Sequence, residues 1–104
     1  MKITIIVDDK TVYIDSVSYA NLDLSSIPTN VHAMQFNGNA GWIEFKDNND
    51  GTKPHNEPIS SLPVWATTAI SKWQEAKDLV ESKKIAQEAF KATHILATPQ
   101  QPNV

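Results

Sequence analysis

Hydrophobic and polar positions alternate twice near the start of the chain. Ile3, Ile5 and Val7 share one face of a β-branched run over residues 2–7, and Val12 and Ile14 repeat the pattern over residues 11–15. A tight turn at Asp9-Lys10 predicts a hairpin that pairs Val7 with Val12 and Ile5 with Ile14, placing all four on one face of an antiparallel ladder. Residues 16–30 lose the alternation. They are rich in Ser, Asn and Asp and read as a loop, with one short helical turn around residues 22–27. Leu22, Leu24 and Ile27 pin that loop to the sheet, and Pro28 biases Ile27 to an extended conformation that restarts a strand.

The alternation returns in "VHAMQFNGNAGWIEF", residues 31–45. Pairing Phe36 with Ile43 also pairs Met34 with Phe45 and Gln35 with Glu44. Met34, Phe36, Ile43 and Phe45 then form one strongly apolar face, with His32 pointing the same way. Val31, Ala33, Gln35, Trp42 and Glu44 form the other. Gly38 and Gly41 suit the positive φ of the connection, and Asn39 tolerates it. Residues 47–58, "DNNDGTKPHNEP", have no periodicity and read as a polar loop.

Beyond that loop the period becomes helical. Ser60 or Ser61 is expected to cap, Pro63 fits the first turn, and Leu62, Ala66, Ala69, Trp73, Ala76 and Val80 form one stripe flanked by Trp65 and Ile70. Past Val80 the stripe meets Lys83, Lys84 and Gln87, and Phe90 alone returns to it. About 30 helical residues span roughly 45 Å, which short strands do not cover, so the helix either breaks near Ser82 or projects from the sheet. The predicted fold is α+β: an antiparallel sheet of about four strands in two hairpins, with a long C-terminal amphipathic helix packed across one face. Residues 1–97 form a single domain, with hairpins and loops over 1–58 and helix over 60–93, and residues 98–104 read as a disordered tail.

Composition narrows the chemistry. The chain has 104 residues and a formal charge of −3, and all nine of its basic side chains are lysines. Without arginine it lacks the fork-shaped donor best suited to phosphate and guanine edges, so no nucleic-acid partner is expected. No apolar run approaches the roughly 20 residues that span a bilayer, and the start "MKITIIVDDK" reads as a first strand and not a signal peptide, so no membrane partner is expected either. The absence of cysteine excludes disulfides, thiolate nucleophiles and Cys-ligated zinc.

A calcium loop placed with Gly51 at its sixth position puts Lys46 at the first, where a carboxylate ligand is needed. His32, His55 and His94 share no ligand spacing. There is no G-x-S-x-G elbow and no Gly-rich phosphate loop. Asp8/Asp9 and Asp47/Asp50 read as solvated turns. Neither a cofactor nor an enzymatic reaction is expected. Trp73 reads as core. Trp42 is core if the helix covers its face and an interface anchor if that face is open.

"VHAMQFNGNAGWIEF" resembles a pattern in small proteins of tailed-bacteriophage structural modules: Val-His-Ala, an apolar residue, Gln, an aromatic, a glycine turn and an Ile-Glu strand. "KTVYIDSVSYANLDLSSIP" is similar to their lead-in, and "NEPISSLPVWATTAISKWQEA" to their Asn-x-x-Ile segment followed by a helix with a central Trp. In that pattern the residue after Gln is often Trp, where this chain has Phe36. The resemblance runs over residues 2–76 and is carried by His32, Gln35, Gly38, Gly41, Trp42, Glu44, Ile59 and Trp73. It implies a virion or tail-associated protein, or a factor in tail or tail-fibre assembly, found in the virion or in the host cytoplasm during assembly. It brings no catalytic residues. Partners would be other phage structural proteins, or further copies of the chain through the C-terminal helix. The expected contact residues are Trp42, Gln35 and Glu44 on the hairpin, and Lys83, Lys84 and Phe90 on the helix. The alternative expectation is an adhesin-like module contacting host surface sugars through Trp42 and the Asn-rich loops.

Overall fold

A computed structural model of the chain describes residues 1–97, with side chains described for residues 1–84. The tail expected at 98–104 lies outside the described residues. The chain forms strands β1 (Lys2–Ile6), β2 (Thr11–Ile14), β3 (Val17–Tyr19), β4 (Val31–Asn37), β5 (Ala40–Phe45) and β6 (Glu57–Ile59), then helix α1 (Val64–Ala97). The α+β class holds, but the sheet has six antiparallel strands in the order β3-β2-β1-β4-β5-β6, not about four.

The two added strands lie in segments read as loops. β3 follows β2 through Asp15 and Ser16, both with positive φ (49° and 74°), as a type I′ turn demands. β6 pairs with β5 through Trp42↔Pro58. Both hairpin registers also differ from expectation by two residues. Ile5 pairs with Val12 and Ile3 with Ile14, because Val7–Lys10 forms a four-residue turn closed by Lys10 N–H donating to Val7 O (3.0 Å). In the second hairpin Met34 pairs with Ile43 and Gln35 with Trp42, around a two-residue Gly38-Asn39 turn with Gly38 at φ 76°. A shift of two preserves the faces, so the buried set survives the error. His32 does not follow its face. A bulge between Val31 and Ala33 turns Val31 into the core and leaves His32 exposed.

The registers reveal an internal pseudo-twofold. β1-β2-β3 and β4-β5-β6 are two three-stranded meanders joined antiparallel through β1 and β4, with Thr4 opposite Gln35 at the centre. Ile3↔Ile14 in one meander corresponds to Met34↔Ile43 in the other, Ile5↔Val12 to Phe36↔Gly41, and Tyr13↔Ser18 to Trp42↔Pro58. Phe36 is bulkier than its counterpart Ile5, and its partner Gly41 is smaller than Val12. Gly41 has no room for more: a Cβ there would run into the main-chain oxygen of Gln35.

One face of this sheet carries the core: Ile3, Ile5, Val12, Ile14, Met34, Phe36 and Ile43. The loop after β3 covers part of it through buried Leu22, Leu24 and Ile27, as expected. Helix α1 covers the β2–β3 end. Ala66 and Ala69 let the helix approach closely, and Trp73 fills the gap beside β3. The Trp73 indole N–H donates to Val17 O (2.9 Å), and its ring meets Tyr19 edge-on with centroids 5.6 Å apart. The cap expected from Ser60 or Ser61 does not form: α1 begins at Val64, and its hydrogen-bond ladder starts at the Pro63 carbonyl, which accepts from Ala66 N–H (3.0 Å) and Thr67 N–H (3.2 Å). The helix does not break near Ser82. Its backbone is continuous to Ala97. Sheet contact ends earlier than the stripe implies, since Val80 is 51% exposed and Leu79 56%.

Candidate functional site

With α1 and the loop on one face, the other face of the sheet is open. β-Strand geometry sends alternate residues there, and the registers align six of them across all six strands: Ser18, Tyr13, Thr4, Gln35, Trp42 and Pro58. Strands lie about 4.8 Å apart, so Tyr13 and Trp42, three strands from each other, are separated by roughly 14 Å at the backbone. Both aromatics are substantially exposed, Tyr13 at 41% and Trp42 at 43%. They occupy equivalent positions about the pseudo-twofold. Between them the Thr4 hydroxyl donates to Gln35 Oε1 (2.6 Å). The Trp42 indole N–H donates to Glu44 Oε2 (2.8 Å), two residues along the same face, which fixes the ring's orientation. Every group in the row is uncharged; Lys2 and Glu44 stand in the rows to either side.

Three of the expected contact residues, Gln35, Trp42 and Glu44, are therefore brought together. Lys83 and Lys84 are exposed on the part of α1 beyond its sheet-facing positions and are not brought together with them. Phe90 has its side chain outside the described residues. The question left by Trp42 is resolved: the helix packs on the opposite face, and Trp42 is not core. Tyr13 and Thr4 were not singled out from the sequence. Their signal was present in the alternation, since each stands between two buried residues, Val12/Ile14 and Ile3/Ile5.

The larger concavities lie at one end of the sheet. A groove of about 630 Å³ runs between Asn30, Phe45, Asn48, Asn49 and His55. Beside it, a depression of about 370 Å³ holds Asp8, His32, Lys46 and Lys53. There Asp8 approaches His32 Nδ1 (3.5 Å) and Lys46 Nζ (3.6 Å). Such exposed pairs add little to stability. Loop 47–56 is held by its own polar groups. Asp50 Oδ1 accepts from the Thr52 hydroxyl (2.6 Å) and the Thr52 N–H (3.0 Å), and these bonds hold its carboxyl below the usual carboxylate range. Asp23 is lowered in the same way, by Ser25. Among the described residues no group of three His, Asp or Glu side chains could hold a metal ion, and no helix is long and apolar enough to cross a membrane.

No protein-family model, curated protein or solved structure matches the chain.

Proposed function

We propose that the chain is a non-enzymatic bacteriophage protein of the virion or tail, or a tail-assembly factor, that works through contacts with other phage structural proteins. The phage assignment is supported by the resemblance of residues 2–76. The assembly role is supported by one observation, the reach of α1. Its 34 residues extend about 51 Å at 1.5 Å per residue. Sheet-facing positions end at Trp73 and Ala76, and the backbone from residue 78 to 97 runs on for about 30 Å. Helices in water draw most of their stability from packing an amphipathic face, not from propensity. A partner is what such an extension requires, and it begins with Leu79 and Val80 uncovered.

The test pairs a biophysical with a cellular measurement. Truncation after Lys84 is expected to leave the circular dichroism melt of the sheet domain within a few degrees of the full chain, because Ala66, Ala69 and Trp73 are retained. In cells producing the encoding phage, the full tagged chain is expected in tail or particle fractions, and the truncated chain is expected to be lost from them. The reading fails if the full chain stays outside both fractions through assembly, or if truncation leaves its distribution unchanged.

A further inference from the structure

We propose that the open sheet face is a binding site for a neutral oligosaccharide, laid across the strands from Tyr13 to Trp42 over Thr4 and Gln35. The chemistry of the row selects this ligand. A sugar ring presents apolar C–H faces and hydroxyl edges. It is recognised by an aromatic ring lying against the face and by planar amides or hydroxyls meeting the edge. Here the two exposed aromatics stand about 14 Å apart, with a hydroxyl and a carboxamide between them. Thr4 occupies the Gln35 amide oxygen, and among the described residues the Gln35 amide N–H groups make no hydrogen bond, which leaves two donors for ligand hydroxyls. Glu44 occupies the indole N–H, so Trp42 offers its ring and not its donor. Beside Tyr13 the face dips into a hollow of about 260 Å³ lined by Lys2, Thr4, Tyr13 and Ser16, room for one ring at the end of a chain.

Rival occupants fit less well. A protein partner places its apolar anchors at the centre and polar groups at the rim. This row does the reverse, with polar Thr4 and Gln35 between the aromatics. A nucleic acid or other polyanion needs a basic stripe; the row itself has no charge, and Lys2 in the hollow at one end is a single cation and not a stripe.

The site lies on the opposite face from α1, so it stands or falls independently of the assembly role. The test uses the full chain, ¹⁵N-labelled. Fluorescently tagged chain is first read on an array of neutral and charged glycans, and the strongest neutral oligosaccharide is titrated by NMR at millimolar concentration. Kd is expected on the order of 1 mM, as suits a flat site. Shifts are expected at Thr4, Tyr13, Gln35 and the Trp42 indole N–H. Trp42→Ala and Tyr13→Ala are each expected to weaken binding roughly tenfold with an unchanged fold, the loss of one stacking platform. The proposal is overturned if no neutral glycan binds, if sulfated or phosphorylated glycans alone bind, if shifts fall instead at Asn48 and His55, or if Trp42→Ala/Tyr13→Ala binds as the parent does. Concentration-dependent broadening of the same row without sugar would assign the face to a second copy of the chain and overturn it too.

Discussion

Trp73 joins helix to sheet, and its replacement measures that junction. In Trp73→Phe the ring is kept, so the edge contact with Tyr19 is largely retained. The indole N–H is lost and Val17 O is left without its donor. A hydrogen bond of this kind contributes about 0.5–1.5 kcal/mol. The smaller ring buries less apolar area, at about 25 cal/mol per Å², which adds about 1 kcal/mol. The expected cost is therefore about 2 kcal/mol. Trp73→Ala also opens a cavity and is expected to cost about 3–5 kcal/mol, against a total stability of about 5–15 kcal/mol for a domain of this size. Urea unfolding followed by far-UV circular dichroism gives both values, with an unchanged slope as the sign that the unfolding remains two-state. Trp42→Ala is the control. That side chain is exposed, and its hydrogen bond is to an exposed carboxylate, so its cost is expected within about 0.5 kcal/mol. The reasoning is refuted if Trp42→Ala costs as much as Trp73→Phe, because the two faces would then not differ as described.

Further outcomes test the backbone and the loops. Gly41→Ala is expected to cost about 1–3 kcal/mol in thermal melts, since the added methyl meets the main chain of Gln35 and not a movable side-chain tip; a melt equal to the parent's would show that β4 and β5 are not so close. Ser16→Gly should stabilise by up to about 1 kcal/mol, because relief of a left-handed backbone at φ 74°, about 1–2 kcal/mol, outweighs the extra freedom glycine gives the unfolded chain, about 0.5–1 kcal/mol, and a lowered urea midpoint would count against the type I′ turn. Thr52→Val removes the main cause of Asp50's lowered pKa, so a carboxyl ¹³C titration should show Asp50 moving back up toward the ordinary range. The sign for stability follows from a folded value below the unfolded one: the Asp50 contribution is complete above the ordinary carboxylate range and fades as pH falls through the lowered folded value. An Asp50 titration unchanged in Thr52→Val would dismiss the hydroxyl as the cause.

What the chain disclosed before its structure depended on how strongly each residue's neighbours repeat. Ile3, Ile5, Val12, Ile14, Met34, Phe36 and Ile43 declare a buried face by period-2 spacing, and a register error of two residues cannot move them off it. The registers themselves were less legible, because Val7–Lys10 has no glycine to mark the turn. β3 and β6 have three residues each, too few for a period, and the Asp15-Ser16 turn uses positive φ without Gly or Asn. The bulge at His32 has no local signature at all. Of the candidate site, Gln35, Trp42 and Glu44 were legible as one face of one hairpin. Tyr13 and Thr4 joined them only through β1–β4 pairing, a long-range contact no local pattern encodes.

The strand order has a consequence for how the molecule can be built into anything larger. A sheet exposes unpaired main-chain groups at its borders, and those borders are where another chain's strand can be added. Here they are β3 and β6, three residues each, and the middle residue of β6 is Pro58, which has no N–H to give. Neither border offers the length of template that strand addition uses. Main-chain zippering, the least selective way for proteins to join, is thus disfavoured at both borders, and joining a second chain here would fall to side chains, which can tell one partner from another.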